Sequence, residues 1–412
     1  MITRLTISHL RNLQQVSLSA QQCNLIIGDN GSGKTSLLEG IFLLSRGKSF
    51  RHHQPKRYIS HHQLATTVHA QFADDDSMAI QKQLDASTTL RLNQQTVYTQ
   101  SSLTQRLPTL LIDPSSMDML EDGSASRRQL LDWLAFHVKQ GFHSQWLAYQ
   151  RLLKQRNTLL KSSHHLTAMQ RQELMAWDKG LANHAGLITH YRQQVFEQWQ
   201  PYFNDILQSL LPQYAEDIKL SFYAGYDVDT PLDELLAQRL SQDVQMGYTR
   251  LGCHRADIQV TWLSEREQLK TQDLPENSAN SHSNDIDINV SHETSNKAVN
   301  SHSHIKEQAV NVLSRGEKKL LITTLRLSQL PLLNHNVLQQ AEAKIPIVLL
   351  DDVTAELDDK ALAVLFSTLA TTPCQLFITS LDETVLDLVK QFWQDFAVFH
   401  VKQGQVQKRQ SC

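Results

Sequence analysis

The chain has 412 residues, 41% hydrophobic and 20% charged, enough for two or three domains with cores of their own. Its formal net charge is −3 at pH 7, so no global basicity advertises a nucleic acid, and only a basic face assembled by folding would hold one. No apolar run reaches the roughly 18–20 residues of a membrane span, which predicts a protein without a membrane segment.

Strands come first. Leu5 and Ile7, then Val16 and Leu18, alternate with polar residues, as half-buried strands do. Between them Arg11 is either a surface charge or a group reaching a nucleotide from a strand end. Cys23–Ile27 is a short run suited to a buried strand. It leads into Gly28, Asp29, Asn30, Gly31, Ser32, Gly33, Lys34 and Thr35, the G-x-x-x-x-G-K-[ST] phosphate loop. Three glycines permit a tight path along which successive N–H groups face an anion. Lys34 supplies a point charge for the β- and γ-phosphates of ATP, and Thr35 a hydroxyl for Mg²⁺. Apolar residues at 37, 38, 41, 42 and 44 predict a helix over 36–44, whose N-terminus would favour the phosphates.

The densest basic stretch follows: Arg46, Lys48, Arg51, Lys56 and Arg57. It reads equally as a solvated loop and as a contact to a DNA backbone. Residues 64–98 read as strands, with a turn at Asn93 and Gln94. Leu110, Leu111 and Ile112 form another buried strand, expected to complete a β-rich lobe.

From 126 to about 211 the pattern turns helical. Apolar residues at 142, 146, 149, 153 and 160 keep heptad steps, with Arg156 interrupting, and a second set starts at 177. The polar link 161–168 predicts an antiparallel helical hairpin, too short for a coiled-coil arm. Arg127 and Arg128 near its start join the DNA-contact candidates. Residues 217–262 are mixed. Residues 271–309 are rich in Ser, Asn, His, Asp and Glu with few apolar residues, which predicts a disordered insertion.

Order returns at Ser314, Arg315, Gly316 and Glu317. Ser314 is a natural N-cap and Glu317 completes a capping box. A buried strand, 345–350, ends in Asp351 and Asp352. Beside a phosphate loop, Asp351 would hold Mg²⁺ opposite Thr35, and Asp352 would orient or deprotonate an attacking water. Ala355, Glu356, Leu357 and Asp358 follow, then a buried strand, 375–380. Strands separated by helices imply a largely parallel sheet.

The four cysteines, at 23, 253, 374 and 412, form no C-x-x-C pair, which suits a reducing cytoplasm.

Residues 313–317 resemble the signature motif of ABC-type ATPases, and 355–358 their D-loop, in the ABC order. Within that class the chain resembles the RecF family of SMC-like ATPases. The resemblance is carried by Leu10, Arg11 and Asn12, by 28–35, 47–51, 126–128, 131–133, 153–157, 177–178, 252–257, 313–316, 350–352 and 356–358.

It implies an α/β fold: an ABC-type ATPase head, a P-loop NTPase mixed sheet, with an inserted helical-hairpin subdomain. It divides the chain into a lobe at 1–124, the hairpin at 125–245 and a second lobe at 246–412. It implies a cytoplasmic, ATP-dependent DNA-binding protein of replication and repair. Such a protein acts at single-strand gaps with RecO and RecR to help load RecA, and supports SOS induction. It implies an ATP-dependent homodimer, in which Ser314, Arg315, Gly316, Glu317 and Asp358 meet a nucleotide held by another copy, with slow DNA-stimulated hydrolysis. Cys253 stands where the family usually has Pro, Ser115 where it has an acid, and the insertion is longer than the family's connection. The alternatives are an SMC-like or transporter-type ABC ATPase subunit with another partner, the transporter type needing a membrane partner, and a P-loop kinase or metabolic enzyme, which leaves the signature and D-loop idle.

Overall fold

A computed structural model describes residues 1–113, 117–121, 123–162, 165–262, 307–339, 344–381 and 383–409. Pro114 and Ser115, the centre of the predicted 161–168 link, and 271–306 of the predicted insertion lie outside the described residues. The strands are β1 Ile2–Leu10, β2 Leu13–Ser19, β3 Cys23–Ile27, β4 Ala65–Phe72, β5 Ser77–Gln83, β6 Thr88–Leu92, β7 Gln95–Val97 and β8 Thr109–Ile112. They continue with β9 Ile218–Tyr223, β10 Asp257–Trp262, β11 Glu307–Gln308, β12 Ile347–Leu350, β13 Gln375–Ser380, β14 Phe396–Lys402 and β15 Gln405–Lys408.

The described strands form three sheets. One is antiparallel, in the order β2-β1-β4-β5-β6-β7. Its last hairpin turns at Asn93 and Gln94, both with positive φ, the backbone a two-residue hairpin loop demands. The second sheet runs β15-β14-β3-β13-β12-β8 and is parallel except where β14 meets β15. Here the reading of 110–112 is corrected. Instead of completing the antiparallel lobe, β8 lies parallel to β12, Leu110 beside Val348. Strands apolar on both faces belong in a covered parallel sheet.

Alternation along these parallel strands splits them between two cores. Leu25, Val348, Leu350, Leu376 and Ile378 face the helices of the insertion side. Ile26, Ile347, Leu349 and Phe377 face the antiparallel sheet and the helix Lys34–Arg46. Segments more than 300 residues apart in sequence therefore share one sheet, because neither half can bury both faces of its strands alone.

The helical insertion contains Phe142–Ser162 packed on a 43-residue helix, Ala168–Leu210, which runs through Pro201. The third sheet, β11-β10-β9, joins β9 to β10 across residue 245. The predicted insertion boundary at 309 is also corrected. Gln308 pairs with Thr261 and Ala309 is fully buried, so ladder bonds and packing order residues that composition alone leaves outside. Among the described residues, no helix is long and apolar enough to cross a membrane.

Arg156, the interruption in the heptad pattern, is fully buried. Its Nε donates to Asp178 at 2.7 Å, and its Nη1 to Asp243 and Thr249 at 2.7 Å each. One guanidinium thus ties both hairpin helices to the short helix Leu240–Met246. Removing it strands two buried carboxylates. Arg156→Ala should cost about 3–5 kcal/mol, read as a lowered denaturant midpoint.

His254 sits beside this network. Its Nδ1 accepts from Tyr149 Oη at 2.7 Å and its Nε2–H donates to the Thr249 carbonyl at 3.2 Å, so the neutral ring is satisfied at both nitrogens. Burial, with help from Arg255, Arg128 and Arg156, lowers its pKa from 6.5 to about 4. A depressed histidine stabilises the fold above the unfolded pKa. That stability is lost as pH falls from 6.5 toward about 4, because the unfolded chain takes the proton first. The melting temperature should fall over this window, and His254→Asn should flatten that dependence.

Candidate nucleotide site

The phosphate loop leaves β3 and ends in the helix Lys34–Arg46. Gly33, at φ 120°, is the N-cap, a conformation that glycine adopts at least cost. A Cβ on Gly28 would lie 2.3 Å from the Val401 carbonyl oxygen of β14. Lys34 Nζ donates to the Gly28 and Asp29 carbonyls at 2.6 and 3.1 Å and is in no ion pair among the described residues. The loop curls over a cleft of about 320 Å³ bordered by Arg11, Asn12, Asp29, Asn30, Gly31, Gly33, Lys34, Thr35, Ser36, Arg51 and Asp352.

Thr35 and Asp351 meet across the cleft floor. Thr35 Oγ1 donates to Asp351 Oδ1 at 3.0 Å, and Thr379 Oγ1 donates to the same oxygen at 2.9 Å. Burial raises the Asp351 pKa, with the neighbouring Asp113 and Asp352 carboxylates adding to it and the two hydroxyls opposing it. A cation is the missing compensation for such a group. Asp352 has left-handed backbone, φ 53°, held by its N–H donating to Thr379 Oγ1 at 2.9 Å. Its Oδ1 is buried without a hydrogen-bond partner, as is Ser32 Oγ. Buried polar atoms without partners mark places where a ligand, ion or water belongs. An unpaired lysine, a glycine-built anion cradle, orphaned oxygens and a buried carboxylate facing a hydroxyl all fit a magnesium nucleotide. Lys34 and the loop amides would hold its phosphates, and Thr35 with Asp351 its cation.

Sequence reasoning missed three supporting residues. Glu39, fully buried on the loop helix, accepts from Arg11 Nη2 at 2.8 Å, and also binds Arg11 Nε and Ser49 Oγ. Ser49 Oγ in turn accepts from the Arg51 and His52 N–H groups at 3.0 Å each. Glu39 thus fastens the basic loop and Arg11 to the phosphate-loop helix. An acid among apolar positions of that helix was the available signal. Asn12 donates to the Gly31 and Ser32 carbonyls at 3.1 and 2.9 Å. Thr379, a polar end to an apolar strand, spans Asp351 and Asp352.

Arg11 borders the cleft, but its guanidinium is engaged by Glu39 and donates to the Arg57 carbonyl at 3.3 Å. Arg51, expected as a DNA contact, borders the same cleft. Lys48, Lys56 and Arg57 are exposed. Arg127 is corrected: it is buried and forks onto Asp257, Nε to Oδ1 at 3.0 Å and Nη2 to Oδ2 at 2.9 Å, so its charge is spent inside the protein. Arg128 is half-buried, with Nη1 on the Ala256 carbonyl at 2.7 Å.

The signature residues do not line the cleft. Ser314 caps the helix Arg315–Leu327, accepting from the Glu317 N–H, and its own N–H donates to Glu317 Oε2 at 2.7 Å. Tyr214 Oη donates to Glu317 Oε1 at 2.8 Å. Ser314, Arg315 and Gly316 remain exposed. Asp358 caps the helix Asp359–Thr371 by accepting from the Ala361 N–H at 2.8 Å. An ion pair from Lys319 to Glu356 joins the signature helix to that segment.

Losing the Glu39 charge leaves Arg11 short of a partner in a part-buried site. Glu39→Gln should cost about 2 kcal/mol, measured by denaturant unfolding, and should open residues 48–57 to protease before the rest of the chain.

The family model described as RecF/RecN/SMC N terminal domain matches residues 1–407. The chain is 37% identical over 410 residues to the DNA replication and repair protein RecF of Acinetobacter baumannii (strain SDF), covering 98% of each. To that of Acinetobacter baylyi it is 36% identical, covering 98% of this chain and 99% of the relative. A solved structure of the recombination mediator protein RecF with ATP in the RecFOR pathway superposes with a TM-score of 0.76 at 20% identity, covering 99% of this chain and 97% of that one. With an SMC-like ABC ATPase head and relatives matched over nearly the whole chain, the chain belongs to the RecF family.

Proposed function

We propose that the protein is an ATP-gated DNA-binding protein of replication and recombinational repair, in which nucleotide binding drives two copies together. The observation that carries this is the split site. Lys34, Thr35 and Asp351 converge on one cleft, while Ser314, the capped and exposed N-terminus of a 13-residue helix, stands outside it. A helix N-terminus offers free N–H groups and a favourable dipole to an anion. In a dimer, Ser314, Arg315 and Gly316 of one copy would face the phosphates held by the other. Mg²⁺, when bound, would neutralise charge on the phosphates.

The chain's own groups divide the remaining work. Lys34 and the loop amides bind, Thr35 and Thr379 keep the Asp351 carboxylate oriented, and Asp352, with one oxygen unpartnered, is placed to take a proton from water. Glu317 and Asp358 hold the two helix ends that the partner copy would meet. The solved relative from the RecFOR pathway supports a role beside RecO and RecR; in this reading the protein acts at single-strand gaps, with RecA loading and SOS induction downstream. Hydrolysis would be slow and would reset the switch. Lys48, Lys56 and Arg57, exposed beside the cleft, are DNA-contact candidates coupled to it through Glu39 and Arg11.

Lys34→Ala should abolish ATP binding, read by equilibrium titration with labelled nucleotide. Ser314→Asp keeps a good N-cap but sets a carboxylate against the partner's phosphates. It should bind ATP normally and fail to dimerise in light scattering. A Ser314→Asp protein that dimerises with ATP as the wild type does would remove the sandwich.

A further inference from the structure

The helical hairpin carries a polar surface that nucleotide chemistry leaves unused. The helix Phe142–Ser162 contains no Asp or Glu. On it Arg151, Lys154, Thr158 and Lys161 are exposed and share one face at helical spacing. None of the three cations is in an ion pair among the described residues. Arg151 to Lys161 spans about 15 Å at 1.5 Å per residue. Leu147 and Leu153 border the same open groove, so the long basic side chains lie along apolar surface.

At Gln150 this groove meets a second, smaller pocket of about 190 Å³, walled by Arg128, Trp146, Tyr149, Gln150, Arg192 and His254. Arg192 is almost wholly buried, its side chain 2% exposed. Its Nε donates to Asp132 at 2.7 Å and its Nη1 to the Cys253 carbonyl at 2.6 Å. Its Nη2 has no partner among the described residues. Arg128 likewise uses Nη1 on Ala256 and Ser124 and leaves Nε and Nη2 without partners among the described residues. Asp132 also borders this pocket, but its charge is matched by Arg192, and His254 is neutral, so Arg128 leaves the pocket about one positive charge. Unspent guanidinium N–H groups in a confined pocket suit phosphate oxygens.

We propose that this pocket and the adjoining helix face form a second contact to a DNA strand: the pocket takes one backbone phosphate and Arg151, Lys154 and Lys161 take its neighbours. The proposal rests on the DNA-binding reading above and adds to it a surface on the helical hairpin, apart in sequence from the basic loop at 46–57. Charge complementarity selects the occupant: unpaired cations along an acid-free face, continuous with a pocket of free guanidinium donors, match a regularly spaced polyanion. An acidic protein segment is the competing occupant, and the test separates the two.

The full chain with ATP is titrated with a labelled gapped duplex over a range of salt concentrations. Two variants are compared with the wild type: Arg151→Gln/Lys154→Gln/Lys161→Gln, and Gln150→Glu, which sets a carboxylate where groove and pocket meet. The triple variant should lower the salt slope of log affinity by about 2–3 and weaken binding at least roughly tenfold. Gln150→Glu should weaken DNA binding too. ATP affinity and melting temperature should be unchanged in both. An unchanged slope in the triple variant overturns the stripe as a DNA contact. A silent Gln150→Glu overturns the pocket. A wild type without DNA affinity overturns the functional reading together with this one, so the wild-type control tells the two failures apart.

Discussion

The carboxylate of Asp351 is the constraint on which the site depends. It ends a strand with a neighbour on each side, and burial makes its charge expensive. Two hydroxyls reduce that cost: Thr35, from the phosphate-loop helix, and Thr379, from the adjoining strand. Each comes from a different part of the chain, so the carboxylate is satisfied only when the parallel sheet is closed in its final strand order. The geometry of the site and the assembly of the fold are therefore one condition. A bound cation would complete what the hydroxyls begin.

From that floor the architecture spreads by buried charge. Glu39 connects the phosphate-loop helix to Arg11 and to the basic loop through Ser49. Arg156 connects the hairpin helices to Leu240–Met246. Arg127 joins the start of the hairpin to β10 through Asp257. Such pairs are costly to bury and costlier to break. Each fixes the relative placement of two elements that apolar packing alone would allow to slide. The signature helix is held by a neutral hydrogen bond, Trp199 donating to Ser328 at its far end at 2.9 Å, and by the part-exposed pair of Lys319 and Glu356. Its N-terminal residues Ser314, Arg315 and Gly316 are left exposed.

Much of the site was legible in the sequence because its signals are local. The phosphate loop is eight contiguous residues whose glycines and lysine have no common alternative use together. The capping box at Ser314 and Glu317 is a four-residue rule, and the structure shows it formed. An apolar run ending in two acids located Asp351 without any knowledge of its neighbours. The interrupting Arg156 was visible as an anomaly, though its three partners were not.

What the sequence by itself determined is the local vocabulary: which segments are strands or helices, where the glycine-rich loop sits, and the motif order that marks the family. Tertiary structure decided the rest, because it depends on pairings between distant residues. Composition cannot show that β8 leaves the antiparallel lobe for β12, or that Gln308 and Ala309 are held by β10 and its core. It cannot distinguish Arg127, whose charge is spent on Asp257 130 residues away, from Arg51, which borders the nucleotide cleft. A charge is equally basic in both places. Its use is set by which carboxylate, if any, the fold brings within hydrogen-bond reach.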